Sequence, residues 1–303
     1  MFARLQASDK KPAPDPRAPL KLEEIHYYLS NPASAILFLE THFEAREMPQ
    51  RGLQPLRYVT MLSLEPGEGV LQLSPPGPFE GIVDSDPRQW LKEIVPPAMN
   101  LAARYGVYWV GIRTPSLKKA MQKIESRGVT VQEHRLVVPI DPRAKAASIY
   151  GPDLNVFALV ERPHRHGDTS EFGLDHIQLL VKNVAENVRF FEEVFSAQVQ
   201  GRSEHQAFLT IAGFPLALSD PEGLDLSRTE VQERSPLQFR FEADHISFLF
   251  SDIHAAVDAA KAKGRKFAQE PKRLEYFGKP TPYTYAVIHS PDGLPFELVM
   301  ADK

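Results

Sequence analysis

The sequence repeats one order of predicted secondary-structure elements. The segment EIHYYLSN and the apolar helix pattern after it align with HIQLLVKN and its following helix pattern, and the segment that ends at Gly128 aligns with the one that ends at Gly264. Apolar residues recur at helical spacing in these segments, and both glycines stand where a helix ends. Such self-similarity indicates tandem copies of one supersecondary unit.

Each copy is predicted to contain a strand, a helix and three further strands. Pro-Asp pairs at residues 152–153 and 291–292 mark a hairpin near the end of the second and fourth copies. The copies cover roughly residues 22–75, 106–161, 173–220 and 243–301. This pattern predicts an α+β fold of tandem βαβββ modules, whose curved mixed sheets enclose a cavity.

The modules are expected to pair within each half of the chain. The predicted domains are residues 21–162 and 172–303, joined by a short polar linker. Residues 1–20 are charged and rich in proline, so they are predicted to form a disordered tail.

Composition limits the partners and the chemistry. The 303 residues include no cysteine, so disulfides, thiolate metal sites and cysteine nucleophiles are excluded, and a metal would need His, Asp or Glu ligands. The 35 Lys and Arg nearly balance the 39 Asp and Glu, which favours neither nucleic acid nor an anionic membrane as partner. No apolar run is long enough to span a membrane. We therefore expect a cytoplasmic protein with a small-molecule partner.

Three residues are candidate metal ligands. His176 lies on the first strand of the third module, His245 takes the matching place in the fourth, and Glu297 lies on the last strand of the fourth. Strand side chains alternate between two faces, so these three are placed toward the cavity. Taken singly, each could equally be a buried histidine of the core or a glutamate at a strand edge.

The strands that carry these residues resemble a known superfamily. LDHIQLLV, ADHISFLF and SPDGLPFELV are similar to strands of the vicinal oxygen chelate superfamily, which includes glyoxalase, bleomycin resistance proteins, extradiol dioxygenases and 4-hydroxyphenylpyruvate dioxygenase. The similarity covers nearly everything after residue 21. It implies that His176, His245 and Glu297 form a facial triad for a divalent metal, with Fe(II) expected first and Mn(II), Zn(II) or another ion left open. It also leaves both a monomer and a homodimer open.

The first half serves as an internal comparison. The residues at the positions of His176, His245 and Glu297 are, in that order, Glu24, Trp109 and Ala158. Because Trp and Ala cannot bind a metal, the first half is expected to be a degenerate copy without a metal site. His26 lies close to the position of Glu24, but no partner for it is expected there.

The number of ligands distinguishes the predicted activities. Glyoxalase and epimerase members of the superfamily typically use four protein ligands. In this sequence the residue expected at the fourth ligand position is Ala217, which cannot bind a metal. Three ligands leave room for a chelating substrate and dioxygen, so the expected function is a non-haem Fe(II) dioxygenase, an oxidoreductase acting on an aromatic, 2-oxo acid or catechol-like substrate. The alternatives are a glyoxalase-type metal-dependent isomerase or lyase, and a non-catalytic binding protein of the bleomycin resistance kind.

Two further residues are predicted to act on the substrate. Tyr285 and His289 alternate with the same parity as Val287 and are placed on the same face of their strand. Either one is expected to donate a proton or a hydrogen bond to bound substrate. The ordinary interpretation is that the tyrosine belongs to the core and the histidine to the turn. Val287 and Ser290 depart from the pattern of ring-cleaving members, so catechol cleavage is left open.

Overall fold

The structure is a computed structural model. It describes residues 15–29, 31–48, 60–65, 69–74, 103–132, 144–163, 169–227, 229–233, 243–276 and 279–302.

Four modules follow one another along the chain, each a strand, a helix and three strands. The first contains β1 (Pro19–Tyr28), α1 (Pro32–Phe43), β2 (Arg46–Glu47), β3 (Thr60–Ser63) and β4 (Val70–Ser74). The second contains β5 (Gly106–Thr114), α2 (Leu117–Glu125), β6 (Val131–Gln132), β7 (Ala146–Tyr150), a 3-10 turn (Pro152–Leu154) and β8 (Val156–Glu161). The third contains β9 (Gly173–Leu180), α3 (Val184–Phe195), β10 (Gln198–Arg202), β11 (Gln206–Ile211) and β12 (Phe214–Ser219). The fourth contains β13 (Ala243–Phe250), α4 (Ile253–Ala262), β14 (Gln269–Tyr276), β15 (Lys279–His289) and β16 (Pro295–Ala301). The predicted α+β class and βαβββ modules are confirmed.

Local signals fix where the helices begin and end. The side chain of Asn183 accepts a hydrogen bond from the backbone N–H of Glu186 at 2.9 Å, and that of Asp252 accepts one from Ala255 at 3.0 Å, so α3 and α4 each begin with an N-cap. Gly264 follows α4 with φ of +82°, a conformation that glycine adopts at little cost.

The strands form two mixed sheets of eight strands each. The first sheet has the order β14-β15-β16-β13-β1-β4-β3-β2, and the second has the order β10-β11-β12-β9-β5-β8-β7-β6. In the first sheet β1 pairs antiparallel with β13, and in the second β5 pairs antiparallel with β9. The first module therefore shares a sheet with the fourth, and the second module shares a sheet with the third.

The expected division into residues 21–162 and 172–303 stays a prediction, and the strand pairing joins modules from both of these segments. Each predicted domain contributes one module to each sheet. The first strands of all four modules have similar apolar patterns, so the sequence identifies the modules but not which first strand supplies backbone hydrogen bonds to which.

One shared core lies between the two sheets. Phe191 and Phe195 of α3 contact Phe296 of β16 and Phe248 of β13, with ring centroids 5.2 Å and 5.3 Å apart for Phe191–Phe296 and Phe195–Phe248. Tyr27 of β1 approaches Phe157 of β8 in the second sheet. Because strand residues alternate, the neighbours of these aromatic residues on β1, β13 and β16 point away from the shared core.

The structure describes only part of the amino-terminal tail that the sequence predicts to be disordered. Residues 1–14 of the predicted tail lie outside the described residues, and β1 begins at Pro19, before the predicted tail ends. None of the helices that the structure describes is long and apolar enough to cross a membrane.

Candidate metal site

The strand register of the first sheet aligns polar residues in two rows. Glu24 of β1 is paired with Ser247 of β13, and Ser247 is paired with Glu297 of β16. In the next row His26 of β1 is paired with His245 on one side and with Gln72 of β4 on the other. Directly paired residues point to the same face of a sheet. We call this face, defined by Glu24, His26, Gln72, His245, Ser247 and Glu297, the polar face.

Three donor atoms converge on the polar face. The Nε2 atom of His245 lies 3.4 Å from Glu24 Oε1 and 3.6 Å from Glu297 Oε2, and the three atoms all lie within 4.8 Å of one another. Ser247, which is fully buried, places its Oγ atom 3.4 Å from Glu24 Oε1 and 3.3 Å from Glu297 Oε2. The first and fourth modules thus build one cluster together.

The two His245 contacts, 3.4 Å and 3.6 Å long, come within about 0.2 Å of the donor spacing around a divalent metal. Hydrogen bonds between charged nitrogen and carboxylate groups are about 2.7–2.9 Å long, shorter than both His245 contacts. Donor atoms held about 2.1 Å from a common ion in tetrahedral or octahedral geometry are separated by about 3.0–3.4 Å. One imidazole and two carboxylates are also ligands that divalent transition metals accept.

The other ring nitrogen of His245 is held by neighbouring side chains. Its Nδ1 atom lies 2.9 Å from Asp244 Oδ2 and 3.3 Å from His26 Nδ1, and His26 Nε2 lies 2.7 Å from Ser74 Oγ. A metal-binding histidine usually donates its second N–H to a carboxylate in this way. The arrangement turns the Nε2 electron pair of a neutral His245 toward Glu24 and Glu297.

Burial and charge set the protonation of the cluster. Burial lowers the pKa of His245, but Glu297, Asp244 and Glu24 outweigh it, so the pKa lies well above its ordinary value. Burial and the neighbouring His245 hold the pKa of His26 well below its ordinary value. Burial raises the pKa of Glu297. His245 therefore carries the proton that a bound cation would replace.

His176, the third predicted ligand, does not lie at this cluster. It is on β9 of the second sheet, and among the described residues neither group of convergent metal-binding side chains contains it. The predicted triad of His176, His245 and Glu297 is thus divided between two sheets. The cause is the pairing of the first module with the fourth, which puts Glu24 where His176 was expected.

In the second sheet the Nε2 electron pair of His176 already accepts a hydrogen bond from Trp109. Trp109 Nε1 lies 2.9 Å from His176 Nε2, and His176 Nδ1 lies 2.8 Å from Asp175 Oδ2. An indole N–H can only donate, so Nε2 accepts and the ring proton of His176 is on Nδ1, directed at Asp175. Hydrogen bonds from His176 and Arg162 outweigh burial and lower the pKa of Asp175.

Among the described residues, the second sheet brings no group of three metal-binding side chains together. The matching positions hold Trp109 for His245, Ala158 for Glu297 and Ala217 for Gln72. Gly111 takes the place of Ser247, where an added Cβ would lie only 2.4 Å from His176 Nδ1. His176 has no exposed surface, whereas the side chain of Glu297 is 23% exposed. Of the two matching faces, the first sheet carries the one that solvent reaches.

Sequence reasoning missed two residues of the polar face, Glu24 and Gln72. The alignment of the modules placed Glu24 at a ligand position, and a carboxylate there was the signal. Gln72, which is 7% exposed, is paired with His26 just as Glu297 is paired with Ser247. The register therefore puts Gln72 at the position that corresponds to Ala217 in the third module. The expectation that the first half holds no metal stays a prediction.

Tyr285 and His289 lie on the predicted face. Val287 is paired with Glu297, so it lies on the polar face. Tyr285 and His289 are each two residues from Val287 and therefore lie on the same face. Tyr285 is half-buried, whereas His289 is exposed at the end of β15. Their predicted roles toward substrate stay predictions.

Comparison with known proteins agrees with this fold. Residues 173–298 match the family model of the Glyoxalase/Bleomycin resistance protein/Dioxygenase superfamily. The chain contains a domain of this superfamily. The predicted resemblance is thereby confirmed.

Solved structures show a similar fold over both halves of the chain. Glyoxalase I from Zea mays has a TM-score of 0.63 at 16% identity, over 93% of this chain and 92% of that one. A candidate dioxygenase from Bacillus subtilis has a TM-score of 0.61 at 11% identity, over 94% of this chain and 86% of that one. At these identities the likeness shows the fold alone.

One curated relative matches this chain over a shorter stretch of sequence. The metallothiol transferase FosB of Staphylococcus haemolyticus is 28% identical over 80 residues, which is 26% of this chain and 50% of the transferase. The chain thus matches about half the length of that relative.

Proposed function

We propose that the first sheet holds one divalent metal through Glu24, Gln72, His245 and Glu297, and that the protein is a metal-dependent isomerase or lyase of the glyoxalase type. The observation that carries the proposal is the convergence of Glu24 Oε1, His245 Nε2 and Glu297 Oε2 on a partly exposed point. Four donors are the number that glyoxalase-type members use. The isomerase or lyase is the alternative to the dioxygenase that the sequence leaves open. The strand register favours it because Gln72 is placed on the polar face.

Each residue has a part in this chemistry. A bound divalent ion would act as a Lewis acid on adjacent oxygen atoms of a small chelating substrate. Glu297 is suited to accept a proton from the carbon beside those oxygens, since its carboxylate lies where the donors converge and its side chain is partly exposed. Ser247 holds the carboxylate of Glu297, and Asp244 orients His245. Tyr285, half-buried on the same face, is proposed to contact the substrate, and its position favours it over the exposed His289.

A non-haem Fe(II) dioxygenase is the second candidate. His26, Asp244 and His245 form a second group of convergent donors, with the two-histidine, one-carboxylate composition of non-haem iron sites. His26 is 3% exposed and Asp244 is 7% exposed, so this group leaves little room for substrate and dioxygen. The geometry therefore favours the isomerase or lyase.

The test separates these activities. Protein purified without metal is loaded anaerobically with Zn(II), Ni(II), Mn(II) or Fe(II), and bound metal is counted per chain. Turnover of 2-oxoaldehyde and thiol mixtures without oxygen uptake supports the proposal. Oxygen uptake with catechols or aromatic 2-oxo acids, only in the Fe(II) form, supports the dioxygenase. Ligand binding without metal and without turnover would contradict both and indicate a binding protein.

Cytoplasmic location, a homodimeric state and dioxygen as a partner stay predictions.

A further inference from the structure

We propose that Lys272, steadied by Tyr285, recognises an anionic group on the substrate, so that the protein acts on a chelating molecule with a negatively charged tail. This inference rests on the proposed metal site. It adds the chemical class of the substrate and a residue that selects it.

The strand register places Lys272 on the polar face. Lys272 of β14 is paired with Tyr285 of β15, and Tyr285 is two residues from Val287, the partner of Glu297. The register of β14 shifts between Gln269 and Lys272, which brings the lysine rather than Pro271 opposite Tyr285. Paired residues share a face, so Lys272 and Glu297 point to the same side of the sheet.

Lys272 is free to meet an anion. Its Nζ atom lies 5.7 Å from the ring centroid of Tyr285, and the residue is exposed. It forms no ion pair with any carboxylate of the described residues, whereas Lys261 on α4 lies 2.6 Å from Glu270. A cation over an aromatic face is held in place by a weak attraction and keeps its hydrogen-bond donors available.

The distance between Lys272 and Glu297 suits a small molecule. Two strand spacings across the sheet and two residues along it separate the Cα atoms of Glu297 and Lys272 by about 12 Å. An anion at Nζ would therefore lie roughly 6–12 Å from the carboxylate of Glu297, depending on how the lysine side chain extends. This spacing corresponds to a short chain between the chelating oxygens and the charged group.

Binding of an anion at Lys272 is coupled electrostatically to binding of the metal. Without metal, the carboxylates of Glu24 and Glu297 repel an anion; a divalent cation offsets both charges. Anion binding at Lys272 is therefore expected to depend on the metal, and to weaken with salt because the site is exposed.

The test uses two metal-binding probes that differ in charge. Acetohydroxamate is neutral apart from its chelating group, and the monohydroxamate of succinate adds one carboxylate. Their dissociation constants for the Zn(II)-loaded protein are measured by calorimetry at low and high salt. In the unmodified protein the succinate probe is expected to bind about 2- to 5-fold more tightly, corresponding to one exposed ionic contact.

Three variants decide the outcome. In Lys272→Gln the preference is expected to vanish with no change for acetohydroxamate, and in Lys272→Arg it is retained. Lys261→Gln, with the same loss of charge on α4, keeps the preference. Equal affinities in the unmodified protein, or a preference that survives in Lys272→Gln, would overturn the inference. If neither probe binds although the protein is folded, the metal site itself is wrong and both proposals fall.

Discussion

Asp244 is predicted to hold the metal ligand His245 in its binding orientation. Asp244 Oδ2 lies 2.9 Å from His245 Nδ1, and this contact turns Nε2 toward Glu24 and Glu297. Loss of a carboxylate that supports a metal-binding histidine costs about 10- to 100-fold in metal affinity, or about 1.4–2.7 kcal/mol. We expect that loss in Asp244→Ala. Asp244→Asn keeps an acceptor without the charge, so its loss should be intermediate. A chromogenic chelator that competes for Zn(II) measures both.

The second sheet supplies the matched control. Asp175 makes the same contact with His176, at 2.8 Å, where Trp109 already occupies the other ring nitrogen. Asp175→Asn should lower the melting temperature, because Asp175 is buried and also bound by Arg162, yet leave metal affinity unchanged. Unchanged affinity in Asp244→Ala, or weakened affinity in Asp175→Asn, would refute the reasoning.

Three other predictions follow from the same contacts. Glu297→Ala should abolish turnover and weaken metal binding at least tenfold, since it removes both a ligand and the proposed base; full activity in a metal-loaded variant would contradict this. Metal affinity should fall about tenfold per pH unit once the pH drops below the raised pKa of His245, because binding displaces one proton; a flat affinity profile in a pH-stepped titration would show that His245 is not a ligand. Trp109→Phe should lower stability by about 1–3 kcal/mol in urea unfolding by leaving His176 Nε2 unpaired, with one metal still bound per chain; an unchanged midpoint would argue against that hydrogen bond.

The sequence predicted the modules well because their signals are local. Asn183 and Asp252 cap helices, Gly264 ends one, and the four module boundaries agree with the structure within a few residues. Such features depend on residues near one another in the chain.

The site was predicted only in part because it depends on long-range pairing. His245 and Glu297 lie in one module, and parallel pairing of β13 with β16 brings them together. Glu24 is more than two hundred residues away and reaches them through β1 and β13, a choice that hydrophobic patterns do not encode. The expectation that His176 would complete the site came from pairing the modules within each half.

The identity of the modules that build the metal site is the central claim, and metal content tests it most directly. Bound metal per chain is measured for the unmodified protein, Glu24→Ala and His176→Ala after equal loading and dialysis. We predict one metal per chain in the unmodified protein and in His176→Ala, and little or none in Glu24→Ala. Metal retained in Glu24→Ala but lost in His176→Ala would contradict a site built by the first and fourth modules.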